Sequence, residues 1–416
     1  MSTTSTPTRL AYLVSAYPAI SHTFILREIR HLRTRGFDIH VASVNGPDRP
    51  GAGLTADERE ESARTYYVKQ HGAAGALGAL SWSLATRPIA TIKGLVFALR
   101  LGGLDLGKLL YDLFYFVEAL MVGRWMTRLG LSHLHVHFAT PASTVGLIMT
   151  HIHPYGLSLM VHGPDEFYDA PGYFLREKIE GSRFVCTIGR YARSQCMKLS
   201  DPEQWDKFEV APLGVDPELF TPRAPRSGSE HLEVICVGRL VPAKGQHVIV
   251  SAMERLVKRE GRDVHLRFVG DGPDRSSLEA DVRARGLEEH ITFEGAVNQD
   301  RIRELYAKAD VFALPSFAEG IPVVLMEAMA MQIPCVTTFI TGHPELIRDG
   351  KDGLLVAPSD DEGLADAIAL LMDQPALRKQ LGEAGRLRVV DRYNLKPNTD
   401  RLAEILRRRL SGKQAA

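Results

Sequence analysis

At 416 residues the chain exceeds the size at which one hydrophobic core stops growing, which predicts two domains. Its 50 Lys and Arg balance 50 Asp and Glu, so the overall field that gathers nucleic acid is absent, although local cations could hold a small phosphorylated ligand. The four cysteines, Cys186, Cys196, Cys236 and Cys335, form no Cys-x-x-Cys pair, which argues against a disulfide framework or a zinc site.

Residues 1 to 8 are rich in Ser and Thr and lack the basic start and apolar stretch of a signal peptide, so a reducing cytosol is expected. The segment "RLAYLVSAYP" predicts a strand that ends in a loop. "SHTFILREIRHLRTRG" then predicts a helix, with Phe24, Ile25, Ile29 and Leu32 at helical spacing and a stop at Gly36. "FDIHVASV" is the next strand. This alternation implies a doubly wound parallel sheet.

Residues 73 to 129 break the pattern with a helix-like stretch rich in Leu, Ala and Phe, among which stand Arg87, Lys93, Arg100, Lys108, Arg124 and Arg128. Two readings apply: an inserted helical layer with solvated basic residues, which is favoured, or an amphipathic face that rests on anionic lipid. Residues 131 to 164 carry no Lys, Arg, Asp or Glu. Pro141, Pro154, Gly156 and several histidines speak against a membrane span there, so "HLHVHF", "PASTVGLIMTHI" and "LSLMV" read as buried strand, helix and strand.

Alternation resumes and reaches "EVAPLGVDPELFTP"; Arg223 to His231 then has a linker's composition. A second series starts at "LEVICVGRL", with helices expected at 245–259, 274–284 and 299–308 and another beginning at Pro322. Ser359 and Glu362 stand at capping-box spacing before a further helix. The result is an α/β protein of two Rossmann-like domains facing across a cleft, 1–218 with a helical insertion and 219–395. A C-terminal helix, 396–416, is expected to pack back on the first domain. Ligands in such sheets lie beyond the carboxyl ends of the strands.

"SFAEGIPVVLMEAMA" places Glu319 and Glu327 in an apolar setting. Gly320 permits close backbone approach, Pro322 suits the first position of a helix, and that helix's N-terminus favours an anion such as a diphosphate. Two carboxylates there would suit sugar and ribose hydroxyls; the bland alternative makes them ordinary surface residues. "VGRLVPAKGQH" puts Arg239 and Lys244 at a strand's carboxyl end, where two cations could neutralise a departing diphosphate. "VGDGPDRSSLE", with Gly270, adds a Gly-rich turn, and "FEGAVNQDRI", with Val297, offers main-chain groups that could read a base. In "LHVHFAT", His135 and His137 share one strand face; such a histidine is more often a hydrogen-bonded core residue, and His137, nearer the strand end, is the better functional candidate.

These motifs resemble the retaining glycosyltransferases of the two-Rossmann GT-B fold, specifically glycosyltransferase family four. Glu319 and Glu327 fit its Glu-x7-Glu signature, and "VGRLVPAKG", "VGDGP", "GKDGLLVAPSD", "PLGVD" and "HVHF" fall in its order. The opening "YPAISHTFILREI" is similar to members that build bacterial exopolysaccharides, including the colanic-acid type; His22 stands where they carry Glu, and their first-loop Gly-Gly pair is absent. The resemblance implies that Arg239 and Lys244 bind the diphosphate, that Glu319 holds the donor sugar, and that the main chain of Gly320, Ile321, Pro322 and Val323 lies near both. It implies that Glu327 holds the ribose and that His137 lies against the transferred sugar. Ser21, His22 and Thr23, with His162 and Asp165, become acceptor-side candidates.

It further implies a nucleotide-sugar donor, UDP-sugar before GDP-mannose, no metal or other cofactor, and a front-face displacement with retention. A lipid-linked saccharide acceptor is implied too, with a cytoplasmic location peripheral to an anionic inner membrane face and no nucleic-acid partner. A nucleotide-sugar epimerase of the same fold and a non-catalytic sugar-nucleotide-binding protein are the competing readings.

Overall fold

Parallel strands covered on both faces need apolar residues at nearly every position, and the segments that meet this condition build two sheets. A computed structural model describes residues 7–103, 105–222 and 231–411. In the first half, β1 (Thr8–Ala16), β2 (Phe37–Asn45), β3 (Tyr66–Tyr67), β4 (His133–His137), β5 (Gly156–Val161), β6 (Phe184–Thr187) and β7 (Phe208–Val210) form one sheet. Its order is β3-β2-β1-β4-β5-β6-β7, and the pairing is parallel throughout, with Tyr12 of β1 opposite His135 of β4. In the second half, β8 (Leu232–Val237), β9 (Val264–Val269), β10 (Ile291–Phe293), β11 (Val311–Leu314), β12 (Cys335–Thr338) and β13 (Leu354–Val356) pair in the order β10-β9-β8-β11-β12-β13, again in parallel. Two Rossmann-like α/β domains are therefore present.

The chain divides into one unit of Met1–Ala211 with Thr399–Ala416 and another of Pro212–Asn398. The division falls before the 218/219 boundary that composition suggests, because the segment after Ala211 is tied to the end of the second unit. Val215 N donates to Tyr393 O at 2.9 Å, Leu395 N donates to Val215 O at 2.9 Å, and Arg386 reaches the carbonyls of Pro217 and Phe220. The final helix, Leu395–Leu410, enters the first unit at Thr399. There Asp400 pairs with Arg35 at 2.6 Å and His31 at 2.9 Å, and Arg408 and Arg409 both reach Glu209 at 2.6 Å. Of the linker at Arg223 to His231, positions 223–230 lie outside the described residues.

The departure at 73–129 consists of three helices, Gly72–Thr86, Pro88–Leu101 and Leu106–Leu129. Pro88 starts the second at a position whose N–H no helix uses, and Gly130, at φ +65, closes the third. Small residues bring these helices close to the helix Pro141–Ile152 and the turn after it: a Cβ on Gly94 would stand 2.3 Å from Ile152, and one on Gly123 2.3 Å from His153. Among the described residues no helix is long and apolar enough to cross a membrane.

Two local expectations need correction. The helix Asp361–Asp373 is capped by Asp360, whose carboxylate accepts from Gly363 N at 2.7 Å; Ser359, at φ +63, is not its cap. The helix expected over 245–259 is α-helical from Gln246 to Glu254 and ends in a π turn over Arg255–Arg259.

Candidate functional site

Each sheet reverses its strand order beside its first strand, between β1 and β4 in one unit and between β8 and β11 in the other. At such a reversal the loops leaving adjacent strands diverge, and the opening between them is where ligands of this architecture bind.

In the second unit these loops are Gly238–Lys244, after β8, and Pro315–Ile321, after β11. Gly245, at φ +63, lets them touch: a Cβ there would lie 2.2 Å from Pro315 O. Lys244 forms an ion pair with Glu319, which also accepts from Ser316 Oγ at 3.3 Å. The ammonium and the carboxylate singled out from sequence thus face each other. Arg239 is exposed, and its carbonyl accepts from Gln246 Nε2 at 2.8 Å.

The helix after this loop runs from Val323 to Ala330. Pro322, with ψ 126°, is its N-cap and not its first residue, which corrects the expectation. The first N–H to bond back is that of Met326, to Pro322 O, so the N–H groups of Val323, Val324 and Leu325 have no intrahelical acceptor. Together with the helix dipole they form an anion-favouring end next to Lys244 and Glu319. Glu327 is buried and accepts from Tyr306 OH at 3.3 Å, which removes the reading of it as an ordinary surface residue. Gly270 supports the site through backbone packing: at φ +138, its Cβ position would lie 2.0 Å from Gly238 O. Val297 is half-buried in the loop after β10, two strands away from β8.

A strap after β12 holds the Glu319 loop. Thr338 Oγ1 donates to Ser316 O at 2.6 Å, and Thr341 Oγ1 donates to Glu319 O. Thr341 sits at φ +40, an unfavourable region for a β-branched residue, so the surrounding structure imposes this conformation. His343 is buried against Thr337 and Thr338; burial lowers its pKa, partly opposed by the Glu319 charge.

In the first unit, β4 places His133, His135 and His137 on one face. His133 Nε2 and His135 Nδ1 both contact Ser158 Oγ, at 2.8 and 2.7 Å, as hydrogen-bonded core histidines do. His137, fully buried, has other partners: its Nε2 lies 3.1 Å from Glu28 Oε1 and its Nδ1 3.1 Å from His162 Nε2. Tyr12 OH donates to the same Glu28 oxygen at 2.9 Å. In the tautomer where His137 donates from Nε2 to Glu28, a neutral ring accepts at Nδ1 from His162 Nε2–H. The remaining His162 nitrogen, Nδ1, is buried with no hydrogen-bond partner among the described residues. It is left as a lone pair suited to a substrate hydroxyl. Burial holds the His162 pKa well below its usual value, with the neighbouring histidines acting in the same sense.

The turn Ile20–His22 and the helix Thr23–Thr34 follow β1. The His22 ring lies 4.8 Å from Phe138, which also lies 4.2 Å from His162, so the loops after β1, β4 and β5 converge. Thr23 is half-buried at the helix start, and the Ser21 side chain lies outside what is described. Asp165 is exposed. The carboxylate bound to these loops is Glu166, which accepts from Gly163 N at 2.7 Å and from the N–H groups of Ala139 and His162. Lys178 Nζ, also buried, donates to Ala139 O at 2.9 Å and Thr140 O at 3.0 Å. Burial raises Glu166 and lowers Lys178, each to about 7.

Glu28, Glu166, Lys178 and Thr341 escaped the sequence reading. A signal existed for two: Glu28 interrupts the stripe Ile25–Ile29–Leu32, and Lys178 the stripe Leu175–Ile179. A charge inside an apolar stripe must find a partner when buried.

Two nucleotide-binding-type domains with an anion-favouring helix end define a GT-B architecture, and comparison with known proteins agrees. Residues 220–388 match the family described as "Glycosyl transferases group 1". A GDP-mannose-dependent alpha-(1-6)-phosphatidylinositol monomannoside mannosyltransferase of Mycolicibacterium smegmatis is 31% identical over 56% of this chain and 64% of its own length. The colanic acid biosynthesis glycosyltransferase WcaL of Escherichia coli is 26% identical over 87% of this chain and 90% of its own. Among solved structures, Anabaena HepE in complex with UDP-glucose superposes with a TM-score of 0.72 at 17% identity, covering 96% of this chain and 99% of that one; this likeness supports the fold.

Proposed function

We propose that the protein is a retaining, metal-independent hexosyltransferase. It moves a sugar from a nucleotide diphosphate donor, UDP-sugar before GDP-mannose, to a hydroxyl of a lipid-linked glycan in bacterial exopolysaccharide synthesis. The observation that carries this reading is the meeting of Lys244, Glu319 and the amino end of the helix Val323–Ala330 at the strand-order reversal of the second unit. The likeness to a colanic acid enzyme supports the pathway, HepE's UDP-glucose supports the donor, and the mannosyltransferase relative keeps GDP-mannose open while pointing to a lipid acceptor.

In this reading the bond from the anomeric carbon to the diphosphate oxygen breaks as the acceptor oxygen attacks from the same face. The acceptor's proton passes to the leaving phosphate, and the nucleoside diphosphate departs. Arg239, Lys244 and the helix N–H groups stabilise the charge that develops on it. Glu319 holds the donor's hydroxyls, Glu327 the ribose, and the His137–His162 pair supplies a lone pair for a hydroxyl of sugar or acceptor. A lipid-linked acceptor would bring the enzyme to the inner face of the cytoplasmic membrane.

A thermal-shift panel of nucleotide sugars tests the donor: a ligand at a hundred times its dissociation constant adds about 2.7 kcal/mol of stability. Arg239→Ala and Lys244→Ala each remove a charge-assisted contact of roughly 1.5–3 kcal/mol, so turnover falls by one to two decades. Near-normal turnover in both variants would refute the assignment. Donor epimerised without acceptor would indicate an epimerase, and nucleotide binding without any product a non-catalytic protein.

A further inference from the structure

The helices Gly72–Thr86 and Pro88–Leu101 bury small residues and expose large apolar ones, while Leu106–Leu129 buries Phe116, Leu120, Met121, Val122 and Met126 and, among the described residues, exposes large apolar ones only in its first turns. In the middle helix Thr91, Gly94 and Ala98 are buried, while Ile89, Ile92 and Val96 face solvent, Ile89 at 71% exposure. At 3.6 residues per turn, Ile89, Ile92, Lys93, Val96 and Arg100 occupy one stripe roughly 100° wide, opposite the buried small residues. The first helix buries Ala79 and Ser83 and exposes Leu77 and Leu84; the third exposes Leu110, Tyr111, Leu113 and Phe114. Water gives no reason to bury alanine and expose isoleucine, and large apolar side chains concentrated on neighbouring helices mark a surface with a partner.

Charge identifies the partner. Lys93, Arg100 and Lys108 are exposed on the same helices. Among the described residues from 72 to 118 only Asp105 is an exposed carboxylate, and it caps the third helix by accepting from Gly107 N at 2.9 Å. Asp112 and Glu118 are buried, and desolvation raises both, Glu118 to about 7. An apolar face with cations and almost no exposed anion suits the headgroup region of an anionic bilayer.

We propose that this face, centred on Ile89, Ile92, Lys93, Val96 and Arg100, lies in the surface of an anionic membrane. The proposal names the surface that would hold the enzyme at a lipid-linked acceptor, and in that respect rests on the function proposed above; its test does not depend on catalysis.

The full chain is sedimented with phosphatidylcholine vesicles and with vesicles that also contain phosphatidylglycerol. It is expected to bind the anionic vesicles at low salt and to be weakened, not abolished, at high salt. Lys93→Glu/Arg100→Glu should lower binding by at least roughly fivefold per cation. Ile92→Ser/Val96→Ser should lower it at both salt concentrations, with thermal stability and the nucleotide-induced thermal shift unchanged. Failure of the parent chain to bind anionic vesicles overturns the proposal, as does equal binding by both double variants. A concentration-dependent dimer that Ile92→Ser/Val96→Ser abolishes, without vesicle binding, would make the face a contact between copies and likewise overturn it. A retained nucleotide shift in any of these outcomes leaves the transferase reading intact.

Discussion

The same topology gathers different chemistry in the two units. At the strand reversal of the first, imidazoles are sealed in with buried carboxylates: His135 and His137 are fully buried, and Glu28, His162 and Glu166 nearly so. At the reversal of the second, Arg239 is exposed and Lys244 and Glu319 stay partly open to solvent. Sealed, mutually hydrogen-bonded imidazoles give direction to a hydrogen bond, whereas open cations and free helix N–H groups suit an anion that arrives with its own charge and leaves with more. In the proposed transfer, the second unit would handle the diphosphate's charge and the first would orient a hydroxyl.

Acid should separate the units most strongly. Burial lowers His133 to about 3 and His153 to about 4, and holds His135 and His162 well below the usual value. A depressed folded pKa means stability that is present above about pH 6.5 and lost as pH falls toward the folded value, about 1.4 kcal/mol per pH unit for each histidine. Glu118 and Glu166, raised to about 7, act in the opposite sense as pH falls from 7 to about 4.5, so the first unit loses stability on balance. In the second unit only His343 has a lowered imidazole among the described residues, and its lowered carboxylates, Glu218, Glu233, Asp281 and Asp373, act at lower pH. Trp82, Trp125 and Trp205 all belong to the first unit, so tryptophan fluorescence should change at higher pH than the remaining far-ultraviolet dichroism. Coincident transitions would break the contrast.

A smaller effect sharpens the first unit's role. Glu28→Gln keeps the shape but removes the charge beside His137, and roughly 1.5 kcal/mol of charge assistance predicts a tenfold fall in turnover. Nucleotide binding, which belongs to the other unit in this scheme, should be unchanged. A Glu28→Gln enzyme with a weakened nucleotide shift but normal turnover would contradict the division of labour. The smallest effect concerns the strap. Thr341→Val retains β-branching and deletes the hydroxyl that donates to Glu319 O, costing about 1 kcal/mol, or roughly fivefold in nucleotide-sugar affinity by titration; Thr341→Ser should retain most of it.

The alternation of strands and helices, the cations Arg239 and Lys244 and the carboxylate Glu319 were all legible along the chain. Each is a local pattern: strand period, helix period, or a charge at a strand's end. The choice between Asp165 and Glu166 was not legible, because two adjacent carboxylates at a short helix differ only in which loops come near them. The start of the helix after Gly320 also escaped, since proline's fixed φ suits both the first helical position and the cap, and ψ alone decides between them.

Sequence by itself determined two parallel α/β domains and the cations and carboxylate on the loops that leave the second domain's strands, because periodicity and end-of-strand composition need no distant partner. Tertiary structure decided that His137 is wired between Glu28 and His162, 109 residues apart from one and 25 from the other. It also decided that two of the inserted helices, Gly72–Thr86 and Pro88–Leu101, bury small residues and turn large apolar ones outward. Both depend on which neighbour covers which face, and burial is a property of the packed whole that no single segment carries.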